Sequence, residues 1–249
     1  MWHTRPLAAF DIESTGVDTA TDRIVSAALW RIDPTHRTKD VTTWLADPGI
    51  DIPPEATAVH GITTDRAQAE GRPAAEVVAE IGAAVERAVL DGLPIVVFNA
   101  PYDLTLLSAE LARHGRAVAF DGHLRVVDPL VLDKRFDRFR RGSRKLVDMC
   151  RMYGVPLAEE EAHGAAADAL AAARLAWALA RKYEDLGCMD LDALHTAQVG
   201  WKAEQSASFQ DYLRRTKDPD AVIDGSWPLA PPPSRPGDGQ GPARHRPTG

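Results

Sequence analysis

Five side chains in this sequence are of the right type to do chemistry together. Asp11 and Glu13 lie in Phe-Asp-Ile-Glu-Ser-Thr-Gly (10–16), and Asp103 in Phe-Asn-Ala-Pro-Tyr-Asp-Leu (98–104). His163 and Asp168 share Ala-His-Gly-Ala-Ala-Ala-Asp-Ala (162–169). Each charge interrupts an apolar or small-residue setting. Hard divalent cations need clustered oxygen ligands, and two such ions about 3.5–4 Å apart clamp the attacking and leaving oxygens of a phosphodiester. Four carboxylates with one histidine are raw material for that reaction.

The elements that must position these groups can be read from periodicity. Leu7–Glu13 reads as a strand, so Asp11 and Glu13, two apart, project from one face; solvent-facing acids on an edge strand would look similar. Residues 23–32 and 41–45 complete an antiparallel meander. A proline-marked loop follows at 52–54. Val77, Val78, Ile81, Val85 and Val89 recur at helical spacing within 74–90. Residues 94–99 form a short apolar strand of the covered kind, and 104–114 the next helix, with Asp103 at its start, where a capping role is the plain alternative. Residues 126–128 make a fifth strand, with Asp128 a structural acid at its end. Helices follow at 145–153 and 165–186, the latter rich in alanine. His163 and Asp168, five apart, would point about 140° away from each other on one helix. His163 must therefore sit on the loop before the helix and Asp168 in its first turns.

The bulk numbers set limits. The 249 residues suffice for one sizeable core with an appendage, and 45% hydrophobic with 26% charged residues is ordinary globular composition. No apolar run is long enough for a membrane span, and the N-terminus does not read as a secretory signal; the cytoplasm is the expected location. Cys150 and Cys188 make neither a disulfide framework nor a zinc site. A net charge of −7 argues against binding nucleic acid through a general field. Residues 134–145 nevertheless hold seven basic residues against one aspartate. That patch can neutralise phosphates, with Phe136 and Phe139 as stacking surfaces, or can be a solvated face.

Taken together, the three segments resemble the exonuclease motifs of the DnaQ-like (DEDDh) 3′–5′ exonuclease family, in the same order and spacing, over roughly residues 5–182. The segment 52–63, Ile-Pro-Pro-Glu-Ala-Thr-Ala-Val-His-Gly-Ile-Thr, is similar to that family's loop before its first long helix. Ser14 stands where Thr is commoner, Pro101 precedes the aromatic of the second motif, and Gly164-Ala165 replaces Arg-Ala after the histidine. The resemblance implies an RNase H-like α/β fold, a mixed central sheet flanked by helices. It implies that Asp11, Glu13, Asp103 and Asp168 hold two Mg²⁺ or Mn²⁺ ions and that His163 is the general base. Thr15 and Gly16 would receive the terminal nucleotide, with His60 at the mouth of the site.

Residues 5–182 are thus expected to be the exonuclease domain, 183–227 a helical C-terminal extension and 228–249 a disordered Pro/Gly-rich tail. In the extension, Trp201, Gln205, Phe209 and Leu213 recur every four residues, as in a helix packing one face on the core. Gln205–Phe209 has a superficial likeness to the clamp-binding peptide of replicase proofreading subunits, without its middle aliphatic residue. The leading expectation is cleavage of DNA from single-stranded or 3′ ends in proofreading or repair, with a DNA polymerase or sliding clamp as candidate partners. The alternatives are an RNA or oligoribonucleotide 3′–5′ exonuclease, and a catalytically silent binding module.

Overall fold

Leu7–Ser14 (β1) is the strand on which the sheet is built, and a computed structural model describes it within residues 1–116, 122–157 and 164–230. On one side β1 pairs antiparallel with Ile24–Asp33 (β2), which pairs antiparallel with Thr38–Asp47 (β3). The two-residue strand Arg72–Pro73 (β4) adds parallel to β3. On its other side β1 pairs parallel with Ile95–Val96 (β5), and β5 with Val126–Val127 (β6). The resulting six-stranded mixed sheet runs β4-β3-β2-β1-β5-β6.

Alternation along β1 divides the core. Ala8, Phe10 and Ile12 face the helices Ala74–Leu90 (α3) and Ala100–Arg113 (α4), which contribute Val77, Ile81, Val85, Leu104, Leu107 and Leu111. Leu7 and Ala9 face Ala165–Lys182 (α7), whose Ala169, Ala172, Ala173, Ala176 and Leu179 are buried there. Small side chains let α7 lie directly on β1 and β2, and the Trp30 indole donates to the Ala166 carbonyl at 2.7 Å, fixing the height of its first turn.

Several elements depart from expectation for definable reasons. The proline-marked stretch after β3 is two short helices, Pro54–His60 (α1) and Thr64–Glu70 (α2). Proline opens the first, Gly61 at φ 72° closes it, and Thr63 caps the second through the Arg66 N–H. Helix α4 starts four residues earlier than expected because its exposed amides are capped from a distance: the Asp128 carboxylate accepts from Asn99 N and Ala100 N, each at 3.1 Å. The same carboxylate caps Pro129–Phe136 (α5), a helix signalled by Asp-Pro. Leu146–Tyr153 (α6) follows, and the expected 165–186 helix breaks at Tyr183 into α7 and Glu184–Cys188 (α8).

After α8, the C-terminal extension is built on one long helix, Leu191–Thr216 (α9). Its inner face is not the row expected. A four-residue repeat drifts about 40° per step around a helix, so Trp201 packs against Phe136 while Phe209 is 51% exposed. Polar residues do much of the holding. Buried Gln198 accepts from Asp128 N at 2.8 Å and donates to Val126 O at 2.9 Å, and Gln205 donates to Val131 O. The chain then returns to the core: Trp227 is buried, with its indole donating to Asp128, and Ala230 N donates to the Thr105 hydroxyl at 2.8 Å. The expected tail therefore contributes contacts through residue 230, and 231–249, on which the expectation of disorder rests, lie outside the described residues.

Replacing Gln198 with Ala strands a buried N–H and a buried carbonyl, at about 1–3 kcal/mol each. Urea unfolding should show Gln198→Ala destabilised by about 2–6 kcal/mol, and Gln205→Ala by clearly less, because Gln205 is only half-buried.

Candidate active site

The acids sit where β1 outruns its neighbour. Asp11 and Glu13 continue the Leu7–Ala9 face toward α7, opposite Ala28 and Ser26 on β2, small residues that leave the space open. The β1–β2 register shifts between Glu13 and Ser14, ending regular pairing just past the second acid. Asp168 enters from the first turn of α7, and carboxylate oxygens of Asp11, Glu13 and Asp168 lie within 4.8 Å of one another.

Asp103 comes from the opposite helix layer. On the β5 side, strand pairing stops at Val96. Beyond it, Asp103 Oδ1 takes the Ile12 N–H at 2.9 Å, in place of a strand carbonyl. Asp103 is therefore not the cap of its helix. That position belongs to Asn99, held at φ 63°, a conformation asparagine tolerates better than most residues.

Burial and mutual repulsion dominate the electrostatics. Asp11 is pushed well above the usual carboxylate range, first by burial, then by Asp103, Glu13 and Asp168. Burial, with Asp168 and Asp103, pushes Glu13 up to about 8. Asp103 is likewise raised to about 8 by burial, against the opposing Ile12 hydrogen bond. Such a set favours compensating cations, and its all-oxygen donors fit a hard divalent ion. A Mg²⁺ ion with bonds of about 2.1 Å spans oxygens up to about 4.2 Å apart, so the three side chains need close by little more than half an ångström.

The turn after β1 is braced from several sides. Thr15 is 2% exposed; its hydroxyl donates to Asp22 at 2.8 Å and accepts from Arg23 N, so it serves the hairpin. Gly16 is required by close approach: a β-carbon there would lie 2.6 Å from an Asp22 carboxylate oxygen. The Gly16 carbonyl accepts from the Ser14 and Tyr102 hydroxyls, a contact the sequence did not reveal. His60 Nδ1 accepts from Ile62 N and its Nε2 faces the Ser14 carbonyl at 3.2 Å, so the ring is the Nε2–H tautomer. Burial lowers its pKa, keeping it neutral. His163 lies outside the described residues. Asp128 accepts from Asn99, Ala100, Leu130, Val131 and Trp227, the bonding of a structural acid. Gln205–Phe209 lies inside α9, with Gln205 bonded internally.

Comparison with known proteins decides what this frame is. Residues 8–176 match the family RNase_T, described as Exonuclease. The chain belongs to this exonuclease family. Over 166 residues it is 34% identical to a DNA polymerase III subunit epsilon-like protein of Rhodobacter capsulatus, covering 66% of this chain and 22% of that protein. Exonuclease I superposes with a TM-score of 0.62 at 20% identity, covering 73% of this chain and 42% of that one. The E. coli exonuclease I complex with a dA16 oligonucleotide gives 0.61 at 20% identity, over 73% and 42%. The chain thus spans under a quarter of the curated relative and under half of exonuclease I. It is a DnaQ-like exonuclease with an RNase H-like α/β fold, and among its described residues no helix is long and apolar enough to cross a membrane.

The raised acids couple folding to pH. Below about pH 4 they are protonated whether the chain is folded or not. Between about pH 4 and 8 the unfolded chain ionises Glu13 and Asp103 while the folded chain resists, so stability falls through that window. In EDTA, Glu13→Gln should raise Tm at pH 8 by about 2–4 °C per kcal/mol relieved, with no gain at pH 4.5. Mn²⁺ should stabilise the wild type more than the variant. Equal Tm–pH profiles for the two proteins would contradict this account.

Proposed function

We propose that the chain is a metal-dependent 3′–5′ exonuclease that removes nucleoside 5′-monophosphates from the 3′ end of DNA, in proofreading or repair. The observation that carries the reading is the convergence of Asp11, Glu13 and Asp168 oxygens within 4.8 Å, beside buried Asp103, in a chain of the exonuclease family. The name of the Rhodobacter relative and the oligonucleotide bound by E. coli exonuclease I support DNA as the polymer.

Asp11, Glu13, Asp103 and Asp168 would hold two Mg²⁺ or Mn²⁺ ions. Bound there, such ions supply Lewis-acid polarisation of the phosphodiester and offset charge at the attacking and leaving oxygens. The chain's own residues do the rest. The acids are held at fixed positions by β1, α4 and α7, so little reorganisation accompanies reaction. His163, five residues before Asp168, takes the proton of the attacking water, the role for which imidazole is the side chain best suited near neutral pH. The terminal nucleotide lies along the braced Ser14–Gly16 turn, presented with the Gly16 backbone rather than the Thr15 hydroxyl. Neutral His60 supports that turn from beneath, and coupling to a DNA polymerase or sliding clamp would use surfaces away from it.

The test is digestion of 5′-labelled single-stranded and 3′-recessed DNA, beside matched RNA, with Mg²⁺, Mn²⁺ or EDTA. A ladder shortening from the 3′ end, abolished by EDTA and by Asp11→Ala, is expected. His163→Ala should slow it about 10²–10⁴-fold, the usual worth of a general base. Internal cuts, or intact DNA with a folded, metal-loaded protein, would overturn the reading; faster loss of RNA would reassign the substrate.

A further inference from the structure

The basic segment 134–145 is not spent evenly in the fold. Two of its arginines are used internally. Asp133, fully buried, accepts from Arg140 at 2.9 Å, from Arg144 at 2.7 Å and from the Tyr153 hydroxyl at 2.7 Å. Arg144 also donates to the Asp137 carbonyl, and Arg140 to the Ser143 carbonyl. Arg135 lies over the Trp201 ring and pairs with Glu204. Phe136 is withdrawn as well, stacked on Tyr183 at 5.2 Å and edge-on to Trp201. The middle of the loop, at Arg140, and its far end, at Arg144, are therefore stapled to one buried carboxylate.

What the staple leaves outside is specific. Phe139 is 89% exposed, and the Arg138 guanidinium sits over its ring at 5.8 Å. Arg138, Arg141 and Lys145 are exposed, and among the described residues none of them forms a salt bridge. An exposed ring beside exposed cations, on a chain of net charge −7, is poorly suited to a neutral or basic partner and well suited to a strand with π-faces and phosphates. The loop also borders the active-site layer. Lys145 immediately precedes α6, about 7–8 Å along its axis from Cys150. Met149 and Cys150 share a core with Ala169 and Ala172 of α7, the helix that carries Asp168.

We propose that the stapled loop 137–145 is a docking platform for a single-stranded polynucleotide, Phe139 stacking a base while Arg138, Arg141 and Lys145 contact phosphates. The inference rests on the nuclease reading for its occupant, since the platform would hold the strand whose end lies at the carboxylates. Stacking and phosphate contacts do not distinguish sugars, so DNA and RNA strands would both dock there.

The test uses the full chain carrying Asp11→Ala, so that the probe survives, with fluorescent oligothymidylate and oligouridylate followed by anisotropy across NaCl concentrations. Phe139→Ala should weaken both about tenfold at unchanged salt slope, because stacking carries no counterion release. Arg138→Ser with Arg141→Ser should lower the log–log salt slope by about 1–2. Unchanged affinity and slope in both variants overturn the platform, as does equal displacement of either probe by polyglutamate, which would mark a general anion surface. The exonuclease assay on the chain with Asp11 intact, run in parallel, separates the two readings. An active enzyme with indifferent loop variants sinks only the platform, whereas strand binding without any 3′ shortening sinks only the nuclease.

Discussion

Like charges crowded out of water repel strongly, and the rest of this structure is arranged to keep four carboxylates from relieving that repulsion. Asp11 and Glu13 cannot separate because both are on one face of the most constrained strand in the sheet, with partners on either side. Asp168 cannot withdraw because the first turn of α7 is tied to Trp30, and the alanines beneath it give no slack. Asp103 is fixed by its bond to Ile12 and by the helix that bears it. The result is a site destabilising by itself and stabilising toward cations, the usual relation between stored strain and preorganised function.

The second level of organisation is a set of buried polar anchors outside that cluster. Asp128 fixes the starts of α4 and α5 and receives the indole of Trp227. Gln198 clasps the backbone on both sides of that aspartate, and Glu110 takes Arg113 and the Ile24 N–H on the opposite face of the sheet. Each anchor satisfies helix-end or strand-end amides that would otherwise be stranded inside. Helix α9 and the segment ending at Ala230 thereby join the family core. Among the described residues their contacts run to β6, α4 and α5, the elements behind Asp103, so the extension bears on the site through the frame.

How much of this was legible in the sequence depends on the kind of signal. The meander and α3 followed from apolar periodicity, because packing on a sheet face demands it, and α7 from its run of alanines. The three acidic segments stood out because charges there had no structural use, and the structure brings Asp11, Glu13 and Asp168 together with Asp103 adjoining. What was not legible is mostly long-range and polar. Nothing local in Asn-Ala-Pro-Tyr announces a cap supplied by Asp128, and the glutamine face of α9 defeats a reading that looks only for apolar rows. Helices α1, α2 and α5 did carry local signals in Pro-Pro, Thr63 and Asp-Pro, but proline was read as a loop marker where it served as a first helical residue. Thr15, grouped with Gly16 by motif, proved to be turned inward to Asp22.

Charge is distributed so that the site's own field need not exclude its substrate. Four clustered acids, Asp103 buried and the other three half-buried, in a chain of net charge −7 would repel a phosphate backbone at close range until cations occupy them. Beyond a Debye length of about 8 Å that repulsion is screened, so only cationic groups near the strand's path help recruit it. Several of the arginines read at first as one basic track are already paired: Arg140 and Arg144 inside the fold by Asp133, and Arg135 on the surface by Glu204. Of the four that remain, Lys134 lies on α5, and Arg138, Arg141 and Lys145 lie on the loop that leads into α6. A diffuse basic surface would bind polyanions everywhere and slow turnover by non-productive docking, whereas a few cations gathered on one loop favour arrivals from one direction. The buried Asp133 staple costs desolvation that hydrophobic packing would avoid, and that cost is intelligible if the geometry of the loop is what the staple provides.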